Sequence, residues 1–533
     1  MAIFEIKNLT FTYPMMSAPA LKNINLTIQP GDFVLITGPS GSGKSTLLSH
    51  LKPAVTPHGQ RQGQIFFDGQ ELETLPYTRQ SRQIGYVFQD PSRQIVSDKV
   101  WREMAFGPEN LGMDRDKMAR LIAESANFFG IEDWFERDIS TLSGGQKQLL
   151  NLAAVMVCQP QVLVLDEPTS QLDPIAASEF LNALSRLNNE TGTTVIMTEQ
   201  RTEQVFALAD RVIFMQDGKI AAQCAPGETG REKIIPTEFL PTPTAVFRML
   251  GQSGRAPVTV KQGRNWLKDF ADKNSFSSTC LPEKQNFTNQ TAAIEAKNLF
   301  FRYEKNGKDI LSDCSISIPK GCILSVIGGN GSGKSTLLKV LAGASKAYYG
   351  KIKLDDKSRC SLLPQEASLL FSFDSVMQEL QDMTDDETAI DQAVRLCRID
   401  RLTDRNPYDL SAGQRQRTAL AKVMLCGADI LLLDEVTAGM DGIFKKELGG
   451  ILRRLTAMGK TIVLVSHDIE FCAEHSDLVA MMFNGQLTKG YSPREFFSAN
   501  NFYTTAAARM TRGILDGVVS VKDVTELCKE NLV

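Results

Sequence analysis

The sequence predicts an α/β fold built twice in one chain, on three observations. A glycine-rich loop of the form GxxxxGK[ST] occurs at 38–46 (GPSGSGKST) and again at 328–336 (GGNGSGKST). Each loop follows a short apolar strand, FVLIT at 33–37 or ILSVI at 323–327, and opens helical, LL-containing sequence. Further along each half an apolar run, VLVL at 162–165 and ILLL at 430–433, ends in an Asp-Glu pair and reads as a buried parallel strand. A chain of 533 residues has room for about three or four domain-sized units. The self-similarity divides it into 1–235, a helical appendage with linker at 236–291, and 292–533 with a helical tail.

Composition sets the outer limits. Hydrophobic residues make up 42% and charged residues 23%, a balance that supports sizeable cores. The 58 Lys+Arg against 62 Asp+Glu give a net charge of -4, so no global basic field is present to hold nucleic acid. Ten cysteines without a CxxC pair suit neither a disulfide framework nor a zinc or iron–sulfur site, and are expected as reduced core thiols. The opening MAIFEIKNLTF alternates like a strand and lacks the pattern of a secretory leader. The apolar runs fall far short of the ~18 to 20 residues that cross a bilayer, so a membrane role is expected to run through partners.

The loops carry the first chemistry. Glycines at Gly38, Gly41, Gly43, Gly328, Gly331 and Gly333 let successive backbone N–H groups curl around phosphates, with the helix N-terminus behind them. Lys44 and Lys334 are expected to reach the β- and γ-phosphates, with Thr46 and Thr336 completing the loops, while the Ser45 and Ser335 hydroxyls ligate Mg²⁺. Asp166 and Asp434, at strand ends beside the loops, are expected to hold the same metal, and Glu167 and Glu435 to polarise the attacking water. Tyr13 and Tyr303 each lie 31 residues before the loop lysine, where an aromatic can stack on adenine or else fill a strand edge. LSGGQKQ (142–148) and LSAGQRQ (410–416) place a serine hydroxyl and open N–H groups at helix starts, ready for another anion.

The ordered set of aromatic, phosphate loop, glutamine, LSGGQ, LDE and switch histidine resembles the ATP-binding-cassette (ABC) ATPases over nearly all of both halves. The resemblance implies two tandem ABC-type P-loop NTPase domains, each a RecA-like α/β core with an antiparallel β-subdomain and an α-helical signature subdomain. It implies Mg²⁺ and ATP sandwiched head to tail between one cassette's phosphate loop and the other's signature, here Ser143-Gly144-Gly145 and Ser411-Ala412-Gly413. By the same resemblance Gln89 and Gln365 are the Q-loop glutamines that sense nucleotide and metal and touch the membrane partner. Asp173 and Asp441 match the D-loop, and His467 matches the switch histidine.

Two positions depart from the pattern. Gln200 stands where His467 stands in the second half, and a glutamine amide donates to phosphate without carrying charge. Ala412 puts a methyl group where backbone should approach phosphate. Head-to-tail pairing gathers both departures into one composite site, so the site of Lys334, Glu435 and His467 is expected to hydrolyse faster. The alternative is that both departures are tolerated, since Glu167 is intact.

The stretch FQDPSRQIVSDKVWREMAFGPENLG (88–112) narrows the resemblance to ATPases of energy-coupling-factor (ECF) transporters, as does TEQR at 198–201. That resemblance implies a peripheral protein on the cytoplasmic face of the membrane, without nucleic acid, driving a transmembrane coupling protein and a small substrate-capture protein for a vitamin or metal ion. Asp90 and Glu366, each following a Q-loop glutamine, are expected either to pair with cationic coupling helices or to be ordinary solvated acids. Other readings are a ribosome-associated tandem-cassette translation factor and the tandem ATPase of a sugar importer. The first is disfavoured by the absence of a Lys/Arg-dense arm in 236–291, the second by AFGPENLG.

Overall fold

Short strands buried along their whole length lie at the centre of each half, and the glycine-rich loops leave from their ends. The computed structural model describes residues 1–14, 16, 18–274, 276, 291–355 and 358–532. Of the appendage and linker expected at 236–291, residues 275 and 277–290 lie outside the described residues. The chain divides into two units, Met1–Gly263 and Arg264–Val533.

In the first unit β1 (Phe4–Thr12) and β2 (Leu21–Ile28) bury Phe4, Ile6, Leu9, Leu21, Ile24 and Ile28 on one face. β3 (Phe33–Thr37), buried at every residue, feeds the glycine-rich loop into α1 (Lys44–His50). β4 (Gln60–Phe67) and β5 (Gln70–Glu71) complete an outer antiparallel sheet, β2-β1-β4-β5. α2 (Tyr77–Gln83) leads to β6 (Ile84–Val87), and a helical layer follows: α3 (Val100–Asn110), α4 (Arg115–Phe129) and α5 (Gly144–Val157). The chain then returns through β7 (Val162–Asp166), α6 (Pro174–Thr191), β8 (Thr194–Thr198), α7 (Thr202–Val205), β9 (Arg211–Gln216) and β10 (Lys219–Cys224). The core sheet runs β10-β9-β3-β8-β7-β6, parallel except at β10. Parallel strands end at one edge, and that edge holds the functional loops. α8 (Thr242–Met249) follows the sheet, and α9 (Val260–Lys273) runs across the point at which the chain passes from the first unit to the second.

The second unit repeats the plan. β11 (Ala292–Phe301), β12 (Leu311–Pro319) and, after β13 (Ile323–Ile327) and α10 (Lys334–Leu341), β14 (Tyr349–Leu354) make an outer sheet β12-β11-β14. After β15 (Cys360–Leu363) come α11 (Val376–Gln381), α12 (Glu387–Leu396) and α13 (Ala412–Leu425). β16 (Ile430–Asp434), α14 (Gly442–Ala457), β17 (Thr461–Val465), α15 (Ile469–His475), β18 (Leu478–Phe483) and β19 (Gln486–Leu487) close a core sheet β15-β16-β17-β13-β18-β19. α16 (Pro493–Ala499), α17 (Ala506–Thr511) and α18 (Val521–Glu530) form the tail. Both units are thus RecA-like α/β cores with an antiparallel sheet and a helical subdomain. The second is trimmed: α11 has 6 residues against 11 in α3, and α12 has 10 against 15 in α4. Among the described residues no helix is long and apolar enough to cross a membrane.

The helical layers share one device and differ by one charge. Glu103 on α3 accepts the backbone N–H groups of Val96 (3.0 Å) and Ser97 (2.8 Å), fixing the loop after Gln89. Glu379 on α11 does the same for Ser372 and Phe373, and in addition pairs with buried Lys422 of α13, which also donates to the Leu370 carbonyl at 2.8 Å. Alanine, Ala154, stands at the Lys422 position in the first unit. Removing the cation strands a fully buried carboxylate, a loss of about 3 to 5 kcal/mol. Lys422→Met is therefore expected to lower the unfolding free energy of the second unit, read from urea denaturation, by that much, and Lys422→Met with Glu379→Gln to recover most of it. A single variant as stable as the wild type would remove the pair from the account.

Candidate nucleotide sites

In the first unit the loop between β3 and α1 turns at Gly38, Gly41 and Gly43, at φ of 147°, 79° and 97°. A Cβ on Gly43 would lie 2.6 Å from the Ala20 carbonyl oxygen, so no other residue fits. Lys44 is buried and donates to the carbonyls of Gly38 (2.8 Å) and Pro39 (2.9 Å), which holds its ammonium against the loop. The Tyr13 hydroxyl lies 3.0 Å from the Thr46 hydroxyl, tying the aromatic to the helix below the loop.

The acids arrive through strand register. Asp166, the last residue of β7, lies opposite Thr198 of β8. Its Oδ1 accepts from the Ser45 hydroxyl at 2.9 Å and the Thr198 hydroxyl at 2.7 Å. Glu167 leaves the strand at φ 43°, a left-handed backbone that costs a non-glycine residue about 1 to 3 kcal/mol and that clusters at functional sites. Its N–H donates to Thr198 Oγ1 at 3.0 Å. Its carboxyl group accepts from Gln89 Nε2 at 3.0 Å and from Gln200 Nε2 at 2.6 Å, so three residues named from sequence meet at one point. Burial pushes the Glu167 carboxyl up to about 7; Lys44 opposes the shift, and the charges of Asp166 and Glu199 add to it.

The second unit repeats the loop: Gly328, Gly331 and Gly333 have φ of 153°, 75° and 108°, and Lys334 donates to Gly328 (3.0 Å) and Gly329 (2.9 Å). Tyr303 and Thr336 hydroxyls lie 3.1 Å apart. Glu435 has φ 52°, and its carboxylate lies 3.2 Å from His467 Nε2 while also accepting the His467 N–H at 3.2 Å. Asp434 bonds to Ser335, and its carboxyl is pushed up by burial. Its Oδ1 is buried without a hydrogen-bond partner. A hard-oxygen pair with one lone pair unclaimed suits Mg²⁺. Gln365, by contrast, is exposed and is not brought to Glu435 by any hydrogen bond.

The signature serines cap α5 and α13 in reciprocal boxes: Ser143 takes the Gln146 N–H at 3.2 Å and Ser411 the Gln414 N–H at 3.3 Å. Ser143, Gly144, Ser411 and Ala412 are exposed, and a Cβ on Gly144 would meet nothing within 4 Å. Within its own unit the Ala412 methyl is therefore accommodated. Gly145 and Gly413 are different, since a Cβ would fall 2.9 Å from the Ala176 Cβ and 2.6 Å from the Gly439 carbonyl oxygen respectively. Asp173 and Asp441 cap α6 and α14. Sequence reasoning missed Thr198, and also the links from switch to D-loop: Arg201 to the Leu172 carbonyl at 2.9 Å, and Lys445 with Asp468 at 2.6 Å. Charged residues flanking Gln200 and His467 were the available signal.

These loops, acids and capped signature helices, repeated on two α/β cores, define a tandem phosphate-loop ATPase of cassette architecture. The ABC transporter family profile matches residues 21–170 and 311–438, and the chain belongs to that family. It is 38% identical to an ABC transporter ATP-binding protein of Bacillus anthracis, covering 99% of this chain and 98% of that protein. It is 33% identical to another of Methanosarcina acetivorans, over 93% of this chain and 86% of that protein. An archaeal ribosome recycling factor, solved with the archaeal ribosomal stalk protein, matches 92% of this chain and 91% of its own with TM-score 0.60 at 21% identity, a likeness of fold. Cassettes of this family bind and hydrolyse ATP, typically with Mg²⁺.

Burial of Glu167 carries a sign that can be checked. A carboxyl raised from 4.5 to about 7 in the folded chain holds a proton that the unfolded chain has released. Its contribution to stability is whole below about pH 4.5 and is lost as pH rises through about 7. Glu167→Gln removes this loss, and Gln200, whose Oε1 has no partner, can flip to accept from the new amide. The stabilising effect of Glu167→Gln is expected to grow by about 2 to 3 kcal/mol between pH 5 and pH 8 in denaturation of the nucleotide-free chain. A pH-independent effect would show that the carboxyl is not raised.

Proposed function

We propose that this chain is the ATP-hydrolysing energy module of an ECF-type importer, peripheral on the cytoplasmic face of the membrane and coupled to uptake of a vitamin or metal ion. The observation that carries the reading is the surface made by 88–112, the stretch that resembles ECF ATPases. Glu103 fastens the loop after Gln89 to α3, and Val96 on that loop and Phe106 on α3 are 62% and 48% exposed. The second unit exposes Leu369 (71%) and Phe373 (39%) after Gln365. Apolar side chains held at the surface shortly after Gln89 and Gln365 in the chain suit a partner's helices. Asp90 pairs with its own Arg93 at 3.6 Å and Glu366 accepts from Ser368 at 3.0 Å; both acids remain at the surface to meet cations.

In this reading Lys44 and Lys334 hold the phosphates; Ser45, Asp166 and Gln89, with Ser335, Asp434 and Gln365, serve the metals; Glu167 and Glu435 orient water. Tyr13 and Tyr303 back the adenine. The family resemblance implies head-to-tail pairing, by which Gln200 would share a composite site with Ala412 and His467 would share one with Ser143-Gly144-Gly145. ATP closes the pair and hydrolysis reopens it, levering the partner helices. Loss of one good transition-state donor costs about 10² to 10³ in rate, and Gln200 recovers part of that.

Purifying the full chain from detergent-solubilised native membranes is expected to bring down one multi-spanning coupling protein and one small membrane protein. Ribosomes without membrane partners would overturn the proposal in favour of a translation factor. In single-turnover hydrolysis Glu167→Gln, which leaves the His467 site, is expected to retain most activity and Glu435→Gln to lose most. Equal rates would remove the asymmetry.

A further inference from the structure

The internal repeat runs past the cassettes into the helices that follow them, and both copies are fastened to the switch residues in the same way. In the first unit Glu203, three residues after Gln200, accepts from the N–H of Thr242 at 2.7 Å and from its hydroxyl, at the start of α8. In the second unit Glu470, three residues after His467, accepts from the N–H of Ala506 at 2.8 Å, at the start of α17. Six residues further on, in the last turn of α8 and just past the end of α17, an arginine gathers loop carbonyls. Arg248 takes those of Gly230 (3.1 Å) and Glu232 (2.9 Å), and Arg512 takes that of Asn500 at 2.6 Å. The next helices open with VTVK at 258–261 and VSVK at 519–522, where Thr259 and Ser520 each accept an N–H three residues on, both at 3.1 Å.

We propose that Glu203 and Glu470 are positioning residues: each ties the helix after its cassette to the switch segment, and so holds Gln200 against Glu167 and His467 against Glu435. Both glutamates lie in the first turn of their own short helix, α7 or α15, yet direct an oxygen at the N-terminus of another helix. A carboxylate on a helix N–H is a strong, directional tie, reinforced by the dipole. The switch residue is one turn upstream, and the His467 N–H is itself bonded to Glu435. Motion of that turn therefore moves the side chain at the reacting end. The second unit adds a contact: the Tyr503 hydroxyl lies 3.7 Å from where a Cβ on Gly329 would sit, which brings the tail to the phosphate loop. Phe239 occupies the matching place in the first unit and packs on Phe214 at 5.4 Å instead.

Ala506→Pro tests the tie without touching the glutamate. Ala506 is the first residue of α17, where proline is well tolerated, and Thr505 before it has the extended backbone (φ −71°, ψ 158°) that a following proline requires. The substitution removes the donating N–H and adds two ring carbons at a fully buried position, so Glu470→Ala, which adds none, is measured beside it. In the full chain, Ala506→Pro and Glu470→Ala are each expected to lower kcat for ATP hydrolysis by roughly three- to tenfold, with the KM for MgATP and the melting temperature little changed. Glu470→Gln, which still accepts a hydrogen bond, is expected to restore part of kcat. The inference rests on the proposed role of His467, so His467→Ala is measured alongside. If His467→Ala leaves kcat unchanged, that reading and this one fall together. If it lowers kcat while Ala506→Pro and Glu470→Ala do not, or if their losses only track melting, the tie alone is refuted.

Discussion

Both sites depend on the register of two neighbouring parallel strands at the edge of the core sheet. β7 and β8 align Asp166 with Thr198, and β16 and β17 align Asp434 with Val465. Because the loop-bearing strands β3 and β13 sit on the other side of β8 and β17, the same edge brings the phosphate loop within a hydrogen bond of the acid. A one-residue slip would turn both acids to the opposite face of the sheet. At the left-handed residues Glu167 and Glu435 strand neighbours take the N–H groups, Thr198 in one unit and Val465 in the other.

One substitution within that register accounts for much of the difference between the sites. Thr198 lends its hydroxyl to Asp166 and accepts the Glu167 N–H, so the first acid pair is wired into its own strand. The Val465 carbonyl takes the Glu435 N–H at 2.9 Å as the Thr198 carbonyl takes that of Glu167 at 3.2 Å, but Val465 has no hydroxyl and Asp434 Oδ1 is left without a partner. The next position diverges again. Glu199 is 1% exposed, with burial pushing its carboxyl up, where the second unit has Ser466, whose hydroxyl meets Thr437 at 2.8 Å. The first site thus crowds three acids around a neutral amide from Gln200, while the second sets two acids beside an imidazole that can carry charge.

The fold was legible because its signals are local and repeated. FVLIT and ILSVI became β3 and β13 at the same bounds, and each glycine-rich loop opened a helix at its lysine. The fold also brought Gln89, Glu167 and Gln200 together as motif residues, although nothing in the spacing showed that Gln200 would point at the carboxylate. What escaped were contacts set by register and by distant chain. Thr198 reads as one more β-branched strand residue until it is placed opposite Asp166. Lys422 reads as a solvated helix charge until α11 brings Glu379 under it. The repeat beyond the cassettes escaped because its ties are backbone N–H groups, which Thr242 and Ala506 supply equally well despite different side chains.

The switch segment can be understood from what it must connect. In both units it lies between the start of the D-loop helix and the helix that follows the cassette, and it is bonded to each. The connection to the D-loop is made with opposite charges: Arg201, on the switch segment, donates to the Leu172 carbonyl, whereas Asp468, at the equivalent place, receives Lys445 from α14. Lys445 replaces Ala177 of the first unit, so Asp468 would lose its cation in the first unit and Arg201 would face Lys445 in the second. The tie on the far side is the same glutamate in both. Conserving one attachment while inverting the other leaves each switch residue anchored at two points, but by units whose parts cannot be interchanged. That is how a duplicated chain keeps one architecture and still builds two chemically different sites.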